Sequence, residues 1–307
     1  MTAGSDQSAI GTASTPAPER PWRRFLSNFV ENKVAVGALV FFLVTFLLAI
    51  LAPWISPQDP FDLIQINIMD NRLPPGSPAM DGYVYWLGTD DQGRDMLSAI
   101  FYGLRISLFV GGTSIVISLV LGAFFGLIAA YFGGRVDSLI MRIVDIQLSF
   151  PAILVAVILI SIMGRGVDKV IIAIVVAKWA YFARTIRSTA MVECNKEYIE
   201  AAIGLAISRL RVISLHLLPN SVAPLIVVAA IQTAHAISLE ATLSFLGIGL
   251  PITQPSLGLL IANGFEYMLS GKYWISFYPG LALMVTIVSI NIVGDHLRDV
   301  LNPRRQQ

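Results

Sequence analysis

Few residues in this chain have the types and spacing that chemistry needs. The richest stretch is Glu197-Tyr-Ile-Glu-Ala-Ala-Ile-Gly-Leu-Ala-Ile-Ser-Arg-Leu-Arg-Val-Ile-Ser-Leu-His-Leu-Leu-Pro-Asn220, which mixes charged and small residues between apolar blocks. Glu200, Ala201 and Ala202 favour helix and Gly204 loosens it; Ser208 is placed to cap a second segment and Pro219 to limit it. Two short helices at an angle make a knob that fits a cleft on another protein; the plainer alternative is a solvated interhelical connection. Glu240 lies in a long apolar block, so it either lines a solute path or hydrogen-bonds a neighbouring helix. The run Gly88-Thr-Asp-Asp-Gln-Gly-Arg-Asp95 has the composition of a cation loop, yet no Glu closes a 12-residue frame. Gly88, Thr89, Asp90, Gly93, Arg94 and Asp95 therefore read as a structural turn beside the following helix.

Catalytic constellations do not assemble. There is no Gly-x-x-x-x-Gly-Lys-Ser/Thr phosphate loop, so ATP must be bound elsewhere if it is used. Ser244 and His235 are nine residues apart on one helix, off the neighbour spacing a hydrolase pair would need. Cys194 is the only cysteine, which excludes an intramolecular disulfide and reads as a free thiol; His216, His235 and His296 are too scattered for a metal cluster. The expectation is a non-catalytic chain with no metal or cofactor of its own.

The elements that position these residues follow from where the apolar residues sit. Of 307 residues, 55% are hydrophobic and 13% charged, with a mean hydropathy of +0.72; soluble domains are about 25% charged. A cytosolic enzyme is excluded, and a net charge of +1 offers no field for nucleic acid. The apolar residues come in blocks. Residues 34–55 are uncharged and long enough, at about 33 Å, to cross a bilayer. Further spans are expected at 105–134, 137–164 with Pro151 inside, 168–190 interrupted by Lys178, 221–249 and 274–296. The intervening loops are 56–104, 191–220 and 250–273. Residues 1–18 form a disordered tail with no signal-peptide pattern, 19–33 a basic and aromatic interfacial segment, and 297–307 a second tail. Arg142 and Asp145 are expected to pair at i,i+3, and Lys178 to snorkel towards the inner face. With both termini cytoplasmic, fourteen of the 21 Lys and Arg fall inside. The fold class is an all-α integral membrane protein of six transmembrane helices.

The loop 191–220 resembles the EAA loop of permease subunits of binding-protein-dependent ABC importers, in Glu200-Ala201-Ala202 and His216-Leu217-Leu218-Pro219-Asn220. Trp86 to Asp95, Tyr102-Gly-Leu-Arg-Ile-Ser-Leu108, Leu243 to Gly249, Pro255-Ser-Leu-Gly258, Tyr278-Pro-Gly280 and Asn291 to Pro303 look like the dipeptide/oligopeptide/nickel branch, as its second, C-type permease. The resemblance spans roughly residues 20–305. It implies the type I ABC importer permease fold in a bacterial inner membrane. The implied partners are a paralogous six-helix permease, two ABC ATPase subunits carrying ATP and Mg, and an extracytoplasmic solute-binding protein that the Gly88–Asp95 turn can touch. It also assigns coupling to the ATPases to Glu200, Ala201, Ala202, Gly204, Ala206, Arg209, His216, Pro219 and Asn220. Two residues depart from the pattern. Ala206 stands where the family usually has Gly, so a left-handed turn there is costly and the bend is expected elsewhere. Ala99 stands where Arg is common.

Overall fold

The computed structural model describes residues 27–62, 64–79, 82–251 and 253–301. The tail 1–18, most of the interfacial segment 19–33 and residues 302–307 of the C-terminal tail lie outside the described residues. Helix α1 (Lys33–Ile55) starts where the Asn32 side chain accepts from the amides of Val34 and Ala35, at 3.0 and 3.2 Å, which satisfies donors with no carbonyl below them. Beyond Lys33 it carries no charge, and Val40, Phe41, Leu43, Phe46 and Leu47 face outwards.

Helix α2 (Met96–Phe132) begins nearer the N-terminus than the expected 105, because Asp95 supplies its cap by accepting from Ser98 N at 2.8 Å. Its 37 residues reach about 56 Å, well beyond a bilayer core of about 30 Å. Gly133 and Gly134, both with positive φ, then turn the chain into α3 (Gly134–Ser149). The single span expected over 137–164 is instead two helices, α3 and α4 (Ala152–Met163), bent by 91°. Pro151 forces the break: it lacks an N–H and drives the preceding Phe150 into extended backbone, φ −100° and ψ 140°.

Helix α5 (Val167–Cys194) is the central element and packs most extensively against α2. Two glycines one turn apart allow this. A Cβ at Gly122 would stand 2.6 Å from Trp179 O and 2.4 Å from Phe182 Cβ, and one at Gly126 would stand 2.4 Å from Ala183 O. This is the small-xxx-small spacing by which helices approach in membranes. Asp137 and Asp145 on α3 form ion pairs with Arg187 and Arg184 of α5, and Val144 packs on Ala180 and Ala183. Asp145 thus pairs across helices and not with Arg142 as expected, since α5 brings an arginine into its reach.

Helix α6 (Glu197–Gly204) is followed by α7 (Arg209–Phe245), which runs through a π-helical turn at Val212–Leu217. Helix α8 (Leu257–Phe265) packs on α7 and leads to α9 (Trp274–Leu301). A two-stranded antiparallel ribbon, β1 (Ser77–Pro78) with β2 (Val84–Tyr85), lies between α1 and α2. Among the described residues, α1, α2, α7 and α9 are long and apolar enough to cross a membrane, and the bent α3–α4 pair makes a fifth candidate. Helix α5 has the length but carries Lys178, Arg184 and Arg187, and is covered by its neighbours instead.

Replacing Gly126 with Val should overpack the α2–α5 contact and cost about 2–3 kcal/mol. Gly112→Val, with nothing within 4 Å of the added carbon, should stay close to wild type. Thermal unfolding of the purified chain in detergent measures both.

Candidate functional site

Residues 197–220 form an exposed knob from α6 and the first turns of α7; only the first of the two expected short helices is short, since the second continues to Phe245. Glu197 and Glu200 occupy the first turn of α6, where the helix dipole favours acids. Ile199, Ala202 and Val212 are buried together, with Ile207 and Tyr131 packed against them. Burying that face turns Glu200, Ala201 and Gly204 outwards. Leu205 and Leu210 form an apolar tip, 77% and 78% exposed. The loop motif did not single out these leucines; two apolar residues flanking a helix break were the available signal.

The bend falls at Ala206, contrary to expectation. Ala206 has φ +55°, while Gly204 remains inside α6. Ile207 N donates to Ala202 O at 3.2 Å and Ala206 N to Ile203 O at 2.9 Å, the Schellman closure of a helix end. These two hydrogen bonds and the packing of Ile207 outweigh the steric cost of a left-handed alanine. Ser208 stands at the start of α7 without a side-chain capping bond. Pro219 does not limit the second segment either. The π turn over Val212–Leu217 widens the backbone ahead of the proline, and the helix continues to Phe245.

Side chains lock the knob to the bundle. Glu193, in the last turn of α5, accepts from Lys196 Nζ and from the Tyr198 hydroxyl, each at 2.7 Å. Asn220 Nδ2 donates to Tyr198 Oη at 3.2 Å and to the His216 carbonyl at 2.7 Å. Burial and the hydrogen bond to Glu193 push the Tyr198 hydroxyl above its usual pKa. The Arg209 guanidinium lies 5.9 Å from the centre of the Phe132 ring at the end of α2. Glu193 and Tyr198 were missed because a partner for Asn220 cannot be read from linear spacing.

At the other end of α2, the Gly88–Asp95 motif is a buried knot. Arg94 Nε is 2.6 Å from Asp90 Oδ2, with Arg94 1% exposed and Asp90 fully buried. Asp90 also accepts from the amides of Gln92 and Arg94 at 2.8 and 2.9 Å. Thr89 Oγ1 donates to Asp70 O and accepts from Leu73 N, and Trp274 Nε1 donates to Thr89 O. Gly88 and Gly93 have positive φ, and a Cβ would meet Leu73 O at 2.6 Å or Asn67 O at 2.3 Å. Burial pushes the Asp95 carboxyl above its usual range, against the pull of Ser98. Thr89, Asp90, Arg94 and Asp95 are sealed inside, so their side chains offer no surface to a soluble partner.

Glu240 is fully buried. It accepts from Ser107 of α2 at 2.7 Å, from Ser244 of α7 at 2.8 Å and from Ser256 at the start of α8. Its carboxylate faces three hydroxyls and no open surface. Lys178 does not snorkel. It is 6% exposed, and its Nζ donates to Gln232 of α7 at 3.1 Å, so its polar partner comes from within the bundle.

Long apolar helices packed on an apolar core with isolated buried polar sites define a multi-pass membrane protein. Residues 119–307 match the family described as binding-protein-dependent transport system inner membrane component, and residues 20–75 match the N-terminal TM domain of oligopeptide transport permease C. The chain belongs to this family of inner-membrane transport components. A di/tripeptide transport system permease protein of Pseudomonas aeruginosa is 37% identical, covering 92% of each chain. The dipeptide transport system permease protein of Escherichia coli is also 37% identical, covering 96% of this chain and 97% of its own. A putative peptide transport system permease protein of Brucella suis is 40% identical over 87% of this chain and 86% of its own. The solved inward-facing MetNI methionine ABC transporter aligns with 67% of this chain and 97% of its own at TM-score 0.54 and 19% identity, which makes the fold the same.

Asp90→Asn keeps an oxygen for the two amides but removes the carboxylate paired with buried Arg94, and should lower stability by about 3–5 kcal/mol in a thermal melt. Ala206→Gly should relieve the left-handed strain by about 1 kcal/mol, slowing amide hydrogen exchange across α6 about fivefold.

Proposed function

We propose that the chain is one of two paralogous permease subunits of an ATP-driven importer of di- and oligopeptides. The relatives named as peptide permeases support that substrate class. In this reading six spans cross the membrane, with α3–α4 and α5 as the third and fourth, and both termini lie in the cytoplasm. The basic residues Arg135, Arg142, Arg184, Arg187, Lys196, Arg209 and Arg211 cluster at the knob end, which supports a cytoplasmic knob. An extracytoplasmic solute-binding protein delivers the peptide at the opposite end. Two ABC ATPase subunits hold ATP and Mg, and this chain contributes no catalytic residue.

One observation carries the mechanism. The knob is continuous with a span, because α7 runs without a break from Arg209 to Phe245. When ATP closes the ATPases, they move the knob, and a continuous helix transmits that displacement along the bundle. The permease pair then passes from inward- to outward-facing, peptide enters from the binding protein, and hydrolysis resets the complex. The ligand of each state is the ATPase pair, open or closed, held against Glu200 and the Leu205–Leu210 tip.

The test is Glu200→Lys in the complete complex reconstituted in proteoliposomes. Peptide uptake should fall at least tenfold and ATPase stimulation by loaded binding protein should vanish, while membrane insertion and assembly are unchanged. Wild-type uptake by this variant would overturn the docking role.

A further inference from the structure

Lys178 lies midway along α5, eleven residues from Val167 and sixteen from Cys194, about 16 and 24 Å from the two ends. Its neighbours are neutral. Besides the Gln232 carbonyl oxygen at 3.1 Å, the ammonium sits 5.3 Å from the centre of the Tyr181 ring. Among the described residues it forms no ion pair. An ammonium at this depth with no carboxylate opposite is costly, and an amide and an aromatic face recover only part of that cost. Asp137, Asp145 and Glu193 all pair with other cations nearer the knob.

The buried ammonium has exposed polar neighbours on both helices. Tyr181 is 38% exposed. His235, on α7 three residues beyond Gln232, is exposed and within electrostatic reach of Lys178. A phenol and an imidazole left exposed on two packed central helices, beside a buried ammonium, do not suit acyl chains; they suit a water-lined path.

We propose that Lys178, braced by Gln232 and flanked by Tyr181 and His235, receives the C-terminal carboxylate of a peptide as it crosses. This rests on the peptide-importer reading above. Peptides of every sequence share a terminal carboxylate, so one fixed cation recognises them regardless of side chains. The charge is pre-positioned by its bond to Gln232, which limits reorganisation on binding. Neutral partners leave it available, and a single monodentate contact is weak enough to release the cargo.

The complete complex in proteoliposomes, supplied with binding protein saturated with a labelled dipeptide, tests this with Lys178→Gln and Lys178→Arg. The Gln variant should lose about tenfold in initial uptake and the Arg variant should keep at least half. Assembly, binding-protein affinity and substrate-free ATPase activity should not change. In a second measurement, a water-soluble carbodiimide activates the carboxylate of an isotope-labelled dipeptide. Attack by Lys178 Nζ forms an amide while the reagent leaves as a urea. Mass spectrometry should find the dipeptide mass on Lys178 of the wild type and no such adduct at that position in the Lys178→Arg variant. Wild-type uptake by the Gln variant would overturn the proposal. So would dissociation of that variant's complex, or a cross-link from Lys178 to an acid of the paralogous permease, either of which assigns the ammonium to subunit pairing. Absence of dipeptide uptake by the wild-type complex would instead condemn the importer reading itself.

Discussion

The backbone contact between α2 and α5 at Gly122 and Gly126 is the constraint on which the other placements depend. Because no side chain separates the helices there, α5 is drawn into the centre of the bundle, where it can carry residues that no lipid-facing helix would tolerate. Arg184 and Arg187 are then paired with Asp145 and Asp137 of α3, which places α3 along the knob half of α5. Lys178, one helix turn below Phe182, meets Gln232 only because α7 closes over the same groove. In a medium without water, association comes from such close packing and internal hydrogen bonds, since lipid tails are as apolar as the side chains they would replace.

The two ends of the molecule use polar groups in opposite ways. At the Asp90–Arg94 knot and at Glu240, charges are ion-paired or hydrogen-bonded and sealed. Breaking such a site leaves an orphaned charge, so these sites hold the start of α2, the end of α7 and α8 in one arrangement. At the knob, by contrast, charges and leucines are left exposed while Glu193, Tyr198 and Asn220 tie its base to the bundle. A rigid base with an exposed tip transmits force. The strained Ala206 and the π turn before Pro219 are the two irregularities of this region, and both keep the path from tip to span continuous.

Much of the fold was legible because bilayer chemistry imposes long uncharged blocks: α1 and α9 start within a residue of the expected 34 and 274, whereas α7 starts at Arg209, well ahead of the expected 221. The break at Pro151 was visible as a residue but not as a 91° turn, since prolines at positions 224 and 279 sit inside unbroken helices. What separates them is whether neighbours re-satisfy the freed backbone groups. Within the site, the motif residues were legible as types. Which of them face outwards was not, because that depends on Ile199, Ala202 and Val212 choosing the buried side.

By itself, then, the sequence determined that this chain lives in a membrane, that it contains no Gly-x-x-x-x-Gly-Lys-Ser/Thr phosphate loop, and that the loop 191–220 departs from the apolar pattern. Those properties follow from residue type and spacing along one chain. Only the tertiary structure decided that Asp145 pairs with Arg184, that Lys178 is buried against Gln232, that Glu240 is enclosed by three serines, and that Ala206 takes the left-handed turn. Each is a choice among partners far apart in sequence. In a dehydrated interior that choice goes to whichever neighbour satisfies the polar group, and proximity there is set by helix packing.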